Sequence, residues 1–516
     1  MGNGATLQAR QSPGSHMLSE FLVTEINKEG AQDALPLHRL LYESLRRAIL
    51  GGKITAGNRL PSSRKLAQDL DVSRNTVVAA INQLTVEGYL VSHVGSGTFV
   101  SDNLSKLNLS RKQSARAEPG HCTQLSKRGR SLAETFCASE LEVQPFTPGI
   151  ADFSAFPVQL WQRLQNKYWR MTYPDMLDYS SSGGYAPLRR AIANHLRMFR
   201  SVILDPSQVL ITSGTQQSLE LCAQLLADHG DTVWVEDPAY WGAVKAFMAT
   251  GLKLHPIPVD DEGIAPTAAD NTHAPRLVYV TPSHQYPTGA VMSLARRHLL
   301  LAAARKHDAW ILEDDYDSEF RFSGPPLSSL EGLDQDGRVL YMGSFSKVMY
   351  PGLKLSYLVV PKALITAFKQ AHYDLNRPGQ MHLQAALAEF IEMGHFASTL
   401  RRAKQSHAQR RQCLLEALAP CLGEHASITG AEQGLHLCLR LSAQVDDAAL
   451  AKSLSGYGLT VRPLSAYCLG RRDIRGLVIG YGYTIQADIA ASGKRIADMV
   501  AGVTAATTPK KAGRKS

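Results

Sequence analysis

The sequence predicts a multidomain protein in which a small α+β unit of three helices and a hairpin precedes a much larger α/β unit built on a mostly parallel, helix-covered sheet. Three observations carry that reading. At 516 residues the chain is too long for one ordinary domain. Residues 36–100 are strongly punctuated and switch from helical to strand-like patterning after Gly88. From Phe146 onward, apolar strand-like runs alternate with helical ones, which is how βα units read.

Composition bounds the answer. Hydrophobic residues make up 44% and charged residues 20% of the chain. No run approaches the ~20 apolar residues of a membrane span, so a soluble protein with no membrane partner is expected. Seven cysteines (Cys122, Cys137, Cys222, Cys413, Cys421, Cys438 and Cys468) include no Cys-x-x-Cys pair, and their odd number fits reduced thiols and a cytoplasmic location. A net charge of +9 is compatible with nucleic acid, but many basic proteins bind nothing acidic, so position matters more than the total. Residues 1–35, opening MGNGATLQARQSPGSHM, are expected to be disordered and outside the fold.

In the small unit, Leu37, Leu40, Leu41, Leu45 and Ile49 recur at helical spacing and define one packing face. Ser62 or Ser63 can cap a second helix and Ser73 a third, each hydroxyl accepting a free amide hydrogen of the first turn. Leu70-Asp71-Val72 joins them as a tight turn, and Gly95-Ser96-Gly97 is the tip of a two-stranded wing. Lys106, Arg111, Lys112, Arg116, Lys127, Arg128 and Arg130 are nearly unopposed by acids in residues 101–140, which are expected to be a basic flexible linker. The α/β unit is assigned to 141–500, with a large subdomain over about 180–370 and a smaller α+β one over about 380–500. Residues 501–516, ending TTPKKAGRKS, are expected to be a disordered basic tail.

Ligands of open α/β sheets sit beyond the carboxyl ends of the strands, and four such ends here carry polar groups. Ser213-Gly214-Thr215-Gln216 leaves a strand and opens a helix, so its amides and the Thr215 hydroxyl can hold a phosphate. AWILEDDY ends a strand in acids: Asp314 can pair with a protonated pyridine nitrogen, and Tyr316 can reach a ring hydroxyl. TPSHQYPTG makes a sharp turn at a third end. GSFSK places Lys347 after a fourth, between Ser344 and Ser346, where an amine can condense with an aldehyde cofactor. Taken singly, each has a blander reading: a helix start, a solvated strand end, an ordinary turn, a surface lysine. Similarly, a third helix offering Ser73, Arg74, Asn75 and Thr76 in its first turn suits a recognition helix in the major groove, but also an ordinary capped helix.

Together these segments resemble known families. Residues 36–100 resemble the GntR-type winged helix-turn-helix, with its Ser-Arg, Leu-Ala, Val-Ser-Arg-x-Thr-Val and Gly-x-Gly-Thr-x-Val pattern. That resemblance implies binding to double-stranded operator DNA through Arg64, Ser73, Arg74, Asn75 and Thr76, with Gly95 and Ser96 at the minor groove or backbone. Val78 stands where some relatives carry a further arginine. The four strand ends resemble fold-type-I aminotransferases, which implies pyridoxal 5'-phosphate. By that resemblance Lys347 bears the cofactor, Asp314 pairs with the ring nitrogen, Tyr316 with the ring hydroxyl, and Tyr240 stacks on the ring. Gly214, Thr215, Gln216, Ser344, Ser346 and Lys354 would surround the phosphate, Tyr179 would reach the partner's phosphate in a homodimer with shared sites, and Arg475 would grip an α-carboxylate. Two positions depart from the pattern: Tyr286 replaces the usual asparagine at the ring hydroxyl, and Lys354 replaces a phosphate-clamping arginine.

The fusion is similar to the MocR-type regulators, which implies a transcription factor whose aminotransferase-like domain senses an amine, an amino acid or pyridoxal phosphate. In members that sense γ-aminobutyrate an arginine lies two residues beyond the stacking tyrosine, where this chain has Gly242. A different class stays open beside it: a working aminotransferase that also binds DNA.

Overall fold

The computed structural model describes Leu18 and residues 21–26, 35–93, 95–102, 125–134, 144–171, 173–179, 182–324 and 327–507. They fall into two compact units, Met1–Gln124 and Leu125–Ser516.

In the first unit, helix α1 (Leu37–Leu50) buries Leu40, Leu41, Leu45 and Ile49, whereas Leu37 at its exposed start does not join them. Helix α2 (Ser63–Asp69) is capped by Ser62, whose hydroxyl accepts from the Lys65 amide at 3.2 Å; α3 (Arg74–Val86) is capped by Ser73, which accepts from Thr76 at 3.1 Å. Such caps contribute about 1 kcal/mol each. Asp71, at φ 53°, makes the turn between them. Strands β1 (Leu90–His93) and β2 (Gly97–Val100) pair antiparallel as the wing. Leu45, Leu66, Leu70, Val77, Ala80 and Leu84 close the core. Residues 21–26 correct one expectation: they form a helical turn that buries Leu22 and Ile26 in this core, and Glu25 pairs with Arg47 at 3.1 Å. Leu18, Phe21 and Val23 pack against the same cluster; most of residues 1–35 lies outside the described residues.

The flexible-linker expectation is also revised in part. Lys127, Arg128 and Arg130 lie on helix α4 (Lys127–Glu134), started by Ser126, whose hydroxyl accepts from the Gly129 amide at 3.0 Å. Lys106, Arg111, Lys112 and Arg116 lie outside the described residues.

Two helices, α5 (Val158–Arg170) and α6 (Ala186–Arg200), precede the main sheet. Its strands and the helices between them are β3 (Val209–Thr212), α7 (Thr215–Leu226), β4 (Thr232–Asp237), α8 (Trp241–Thr250), β5 (Lys253–Asp260), β6 (Gly263–Ile264), β7 (Leu277–Val280), α9 (Leu294–His307), β8 (Trp310–Asp315), β9 (Val339–Ser344) and β10 (Ser356–Val359). The order β3-β10-β9-β8-β7-β4-β5-β6 is parallel from β5 through β9. Strand β10 runs antiparallel to both β9 and β3. The reason is local: residues 345–355 are too short a link for a crossover helix, so the chain turns back, and Lys347 sits in that turn. Strands β3, β7 and β10 are buried throughout, as a sheet covered on both faces requires.

Helices α10 (Ile365–Asn376), α11 (Met381–Glu392) and α12 (His395–Leu418) lead to a second, antiparallel sheet in the order β11-β12-β14-β13. Its strands are β11 (Ala426–Thr429), β12 (His436–Leu441), β13 (Arg462–Pro463) and β14 (Arg475–Gly480), with α13 (Asp447–Ser455) between β12 and β13. Helix α14 (Gln486–Thr507) packs on α12 and runs into the region expected to be a disordered tail; residues 508–516 lie outside the described residues. Phe146 is buried in this C-terminal core and its amide donates to the Thr484 hydroxyl at 2.9 Å. The segment after it, Thr147 to Ile150, is thereby carried from the C-terminal core to the carboxyl end of the main sheet.

Candidate functional site

A cavity of about 620 Å³ opens at the carboxyl ends of the main-sheet strands. Gly214, Thr215, Gln216, Tyr240, Asp314, Tyr316, Ser344, Ser346, Lys347 and Lys354, all singled out from sequence, line it.

Strand alternation explains the acids of β8. Glu313 and Asp315 share one face: Glu313 accepts from the Leu330 and Glu331 amides at 3.0 and 2.9 Å, and Asp315 pairs with Arg200 at 2.8 Å and accepts from the Tyr341 hydroxyl. Asp314 points to the other face, into the cavity. Its Oδ2 accepts from the Tyr279 hydroxyl at 2.8 Å, while Oδ1 is buried with no partner among the described residues. Burial, reinforced by Asp315, pushes its carboxyl up to about 7 despite the Tyr279 hydrogen bond and nearby Lys347. A cation facing Oδ1 would offset that desolvation. The Lys347 amine donates to the Gly149 carbonyl at 2.6 Å; burial lowers its pKa, against the attraction of Asp317 and Asp314.

At the opposite end, Gly214 (φ 142°) opens α7, whose first-turn amides have no partner within the helix and face the cavity. The Ser344 hydroxyl accepts from the Ser346 amide at 3.2 Å and from the Ser356 hydroxyl at 3.1 Å, fixing the short turn before Lys347. Lys354, exposed and at φ 52°, stands at the mouth. Tyr286, in place of an asparagine, meets Tyr240 and Tyr316 edge-to-face, both at 5.9 Å, and its hydroxyl lies 3.0 Å from that of Tyr467. A Cβ on Gly242 would fall 2.1 Å from Gln216 Nε2 and 2.4 Å from the Tyr240 ring, so this position is closed to side chains while Tyr240 keeps its place.

Two residues are not brought to this cavity. Arg475 opens β14, where its Nη1 donates to the Ile474 carbonyl at 2.8 Å, whereas the strand's other end, Gly480, abuts Pro148 of the cavity wall. Five residues of strand place Arg475 about 17 Å from that end. Arg462, on β13 and hydrogen-bonded to Tyr467, is the guanidinium that lines the cavity instead. Tyr179 is 58% exposed and takes no part in its own chain's cavity. The sequence reading also missed Tyr279, Thr281 and the Pro148-Gly149-Ile150 wall. Only the Pro-Gly pair, a turn signal, marked the wall in the sequence.

On the first unit, Arg64 is exposed in the first turn of α2, Ser73, Arg74 and Asn75 are exposed at the start of α3, and Thr76 is half-buried with its hydroxyl 2.8 Å from that of Ser73. Gly95 and Ser96 are exposed at the wing tip. Arg59, not anticipated, packs its guanidinium against Gly97 where the wing tip enters β2, 2.7 Å from where a Cβ would lie.

Comparison with known proteins matches residues 37–100 to the bacterial regulatory proteins of the gntR family and residues 160–476 to aminotransferase class I and II. The chain is 38% identical over 449 residues to the probable rhizopine catabolism regulatory protein MocR of Rhizobium meliloti, covering 87% of this chain and 90% of that one. It is 31% identical over 445 residues to the pyridoxine biosynthesis transcriptional regulator PdxR of Corynebacterium glutamicum, covering 86% and 91%. Among solved structures, the α-aminoadipate aminotransferase LysN of Thermus thermophilus, complexed with N-(5'-phosphopyridoxyl)-L-leucine, superposes with a TM-score of 0.63 at 26% identity over 74% of this chain and 96% of that one.

Proposed function

The chain belongs to the MocR-type transcriptional regulators, DNA-binding proteins with a pyridoxal-phosphate-type aminotransferase domain, and from that membership we propose that its cavity senses a small amino compound and adjusts operator binding by the head. The observation that carries the proposal is the presence, in one cavity, of the Lys347 amine and of Asp314 Oδ1, which is buried without a partner among the described residues. These groups fit pyridoxal phosphate: a carbonyl needs the amine, a protonated ring nitrogen needs the carboxylate, and the phosphate fits the α7 amides, Thr215, Ser346 and Lys354. When bound, the cofactor supplies an aldehyde that condenses with primary amines. The protein's residues do the rest: Asp314 holds the ring-nitrogen proton, Tyr240 covers a ring face, and Tyr316 donates toward the ring hydroxyl. Arg462 is assigned the carboxylate grip first given to Arg475, which points to an amino acid as effector. Pyridoxal phosphate itself is the other candidate, supported by the relative that regulates pyridoxine biosynthesis. Gly242 leaves no second grip for an ω-carboxylate.

Arg64, Ser73, Arg74, Asn75 and Thr76 are assigned to the operator's major groove and backbone, with Gly95 and Ser96 beside them. A cytoplasmic homodimer is proposed in which Tyr179, exposed in the single chain, reaches the partner's phosphate. The complete set of Lys347, Asp314 and Tyr316 supports a second reading, a working aminotransferase that also binds DNA. Operator gel shifts with candidate amino acids, run beside an amino-donor and keto-acid turnover assay, separate the two. A shift without turnover is expected; turnover at ordinary enzymatic rates, with operator affinity indifferent to every amine, favours the enzyme.

A further inference from the structure

Behind Tyr316 lies a buried polar pair that the cofactor assignments do not use. His284 and Asp317 are essentially inaccessible, with His284 Nδ1 2.9 Å from Asp317 Oδ2. The same nitrogen lies 3.1 Å from the Tyr316 hydroxyl, and among the described residues nothing else hydrogen-bonds that hydroxyl. Gly434 seals the pair: at φ 83°, a Cβ there would fall 2.2 Å from the imidazole and 2.6 Å from Asp317 Oδ2.

Donor and acceptor roles follow from the partners. An ionised carboxylate only accepts, so Nδ1 carries the hydrogen. The Tyr316 oxygen, facing that same N–H, is then an acceptor, and its own hydrogen is left to point into the cavity. We propose that Asp317 and His284 are positioning residues that hold Tyr316 as a hydrogen-bond donor toward the cofactor's ring oxygen, compensating for the asparagine that Tyr286 replaces. The inference rests on the proposed cofactor site.

His436 completes a triad whose potential ligand atoms lie within 4.8 Å of one another, which raises the alternative of a metal. Its Nε2 faces the Pro287 carbonyl at 3.2 Å and its ring stacks obliquely on His284 at 4.9 Å, so a packed hydrogen-bonded cluster accounts for it. Asp314, Glu236, Tyr286 and Lys347 are the other ionisable groups near Tyr316 and His436.

The test reads the visible absorbance of the cofactor-loaded full-length protein as a function of pH. A hydrogen bond donated to the ring oxygen stabilises its bare anion more than its proton-sharing form, so the donor lowers the midpoint of that band. Tyr316→Phe is expected to raise the midpoint by about one pH unit, the worth of one charge-assisted hydrogen bond. His284→Leu is expected to raise it similarly, the double variant no further, and His284→Asn, whose amide N–H replaces Nδ1–H, to restore it. Nitrogen NMR of histidine-labelled wild-type protein should find Nδ1 of His284 protonated and Nε2 bare, an outcome that needs no variant to fold. The opposite tautomer overturns the inference, as does stoichiometric zinc in the purified protein. A midpoint raised by Tyr316→Phe but unmoved by His284→Leu overturns the inference alone and leaves the cofactor site standing. A protein that acquires no visible band with pyridoxal phosphate fails the site reading itself, and the inference with it.

Discussion

Lys347 and Asp314 are the residues on which the cofactor assignment turns, and each gives a distinct observable. Borohydride reduction of the loaded protein is expected to fix the cofactor on Lys347, and Lys347→Ala to lose the visible band while retaining operator binding; mass spectrometry placing the adduct on another lysine would refute this. Asp314 predicts a pH dependence of the cofactor-free protein. Its proton is held up to about pH 7 when folded but released near pH 4 when unfolded, so the folded state binds more protons between those values and loses stability as pH rises through them. Asp314→Asn should make the melting temperature fall less steeply over that window; an unchanged slope would count against the shift. Gly242 offers a third test, because even Gly242→Ala must displace the Tyr240 ring or Gln216. Overpacking of ~1–3 kcal/mol, expressed in cofactor binding, corresponds to a loss of affinity of about 5- to 160-fold, readable by absorbance titration. The lysine, aspartate and tyrosine were legible because they sit at or just beyond the carboxyl ends of buried strands. Arg462 was not, since an arginine near a short strand has no local mark and its proximity to the cavity arises only from the fold of the second sheet.

At the scale of elements, the wing, the three head helices and the alternation of strands and helices were all readable from periodicity and caps. The antiparallel return of β10 was hidden, because its apolar run reads the same in either direction and only the short link before it determines the outcome. The helical turn at 21–26 was missed for a related reason: its apolar residues, Leu18, Phe21, Leu22, Val23 and Ile26, span barely two turns, too short a run to stand out until a core is present to receive them. The element that predicts most is α3. Its Ser73 and Thr76 hydroxyls are occupied with each other and with the first-turn amide, whereas Arg74 and Asn75 are exposed. Arg74→Ala is therefore expected to cost about 1–3 kcal/mol of specific operator binding without unfolding the head, while Ser73→Ala should cost about 1 kcal/mol of head stability through the lost cap. Equal operator affinity of Arg74→Ala and the unaltered chain in gel shifts at physiological salt would place the DNA contacts on another element.

For the whole molecule, sensing requires that the two units exchange free energy, a demand that neither unit meets alone. If an amino acid bound near Arg462 and Lys347 changes operator affinity by some factor, operator DNA must change the affinity for that amino acid by the same factor, because both describe one coupling free energy. The head's electrostatic attraction to DNA does not by itself supply that coupling. The contacts proposed for Arg64 and Arg74 would displace counterions from any duplex, so affinity should fall steeply with salt, by about 0.9 in log K per phosphate contacted for each unit of log salt. A duplex of unrelated sequence should thus bind at low salt yet leave the effector titration of the cavity unmoved, whereas the operator duplex should shift it by the reciprocal factor. Cofactor absorbance titrated with effector, in the presence of each duplex in turn, measures both quantities on the intact protein. Identical titrations with operator and unrelated DNA, alongside an effector-dependent gel shift, would break the reciprocity and show that the amino compound acts at a site other than the cavity.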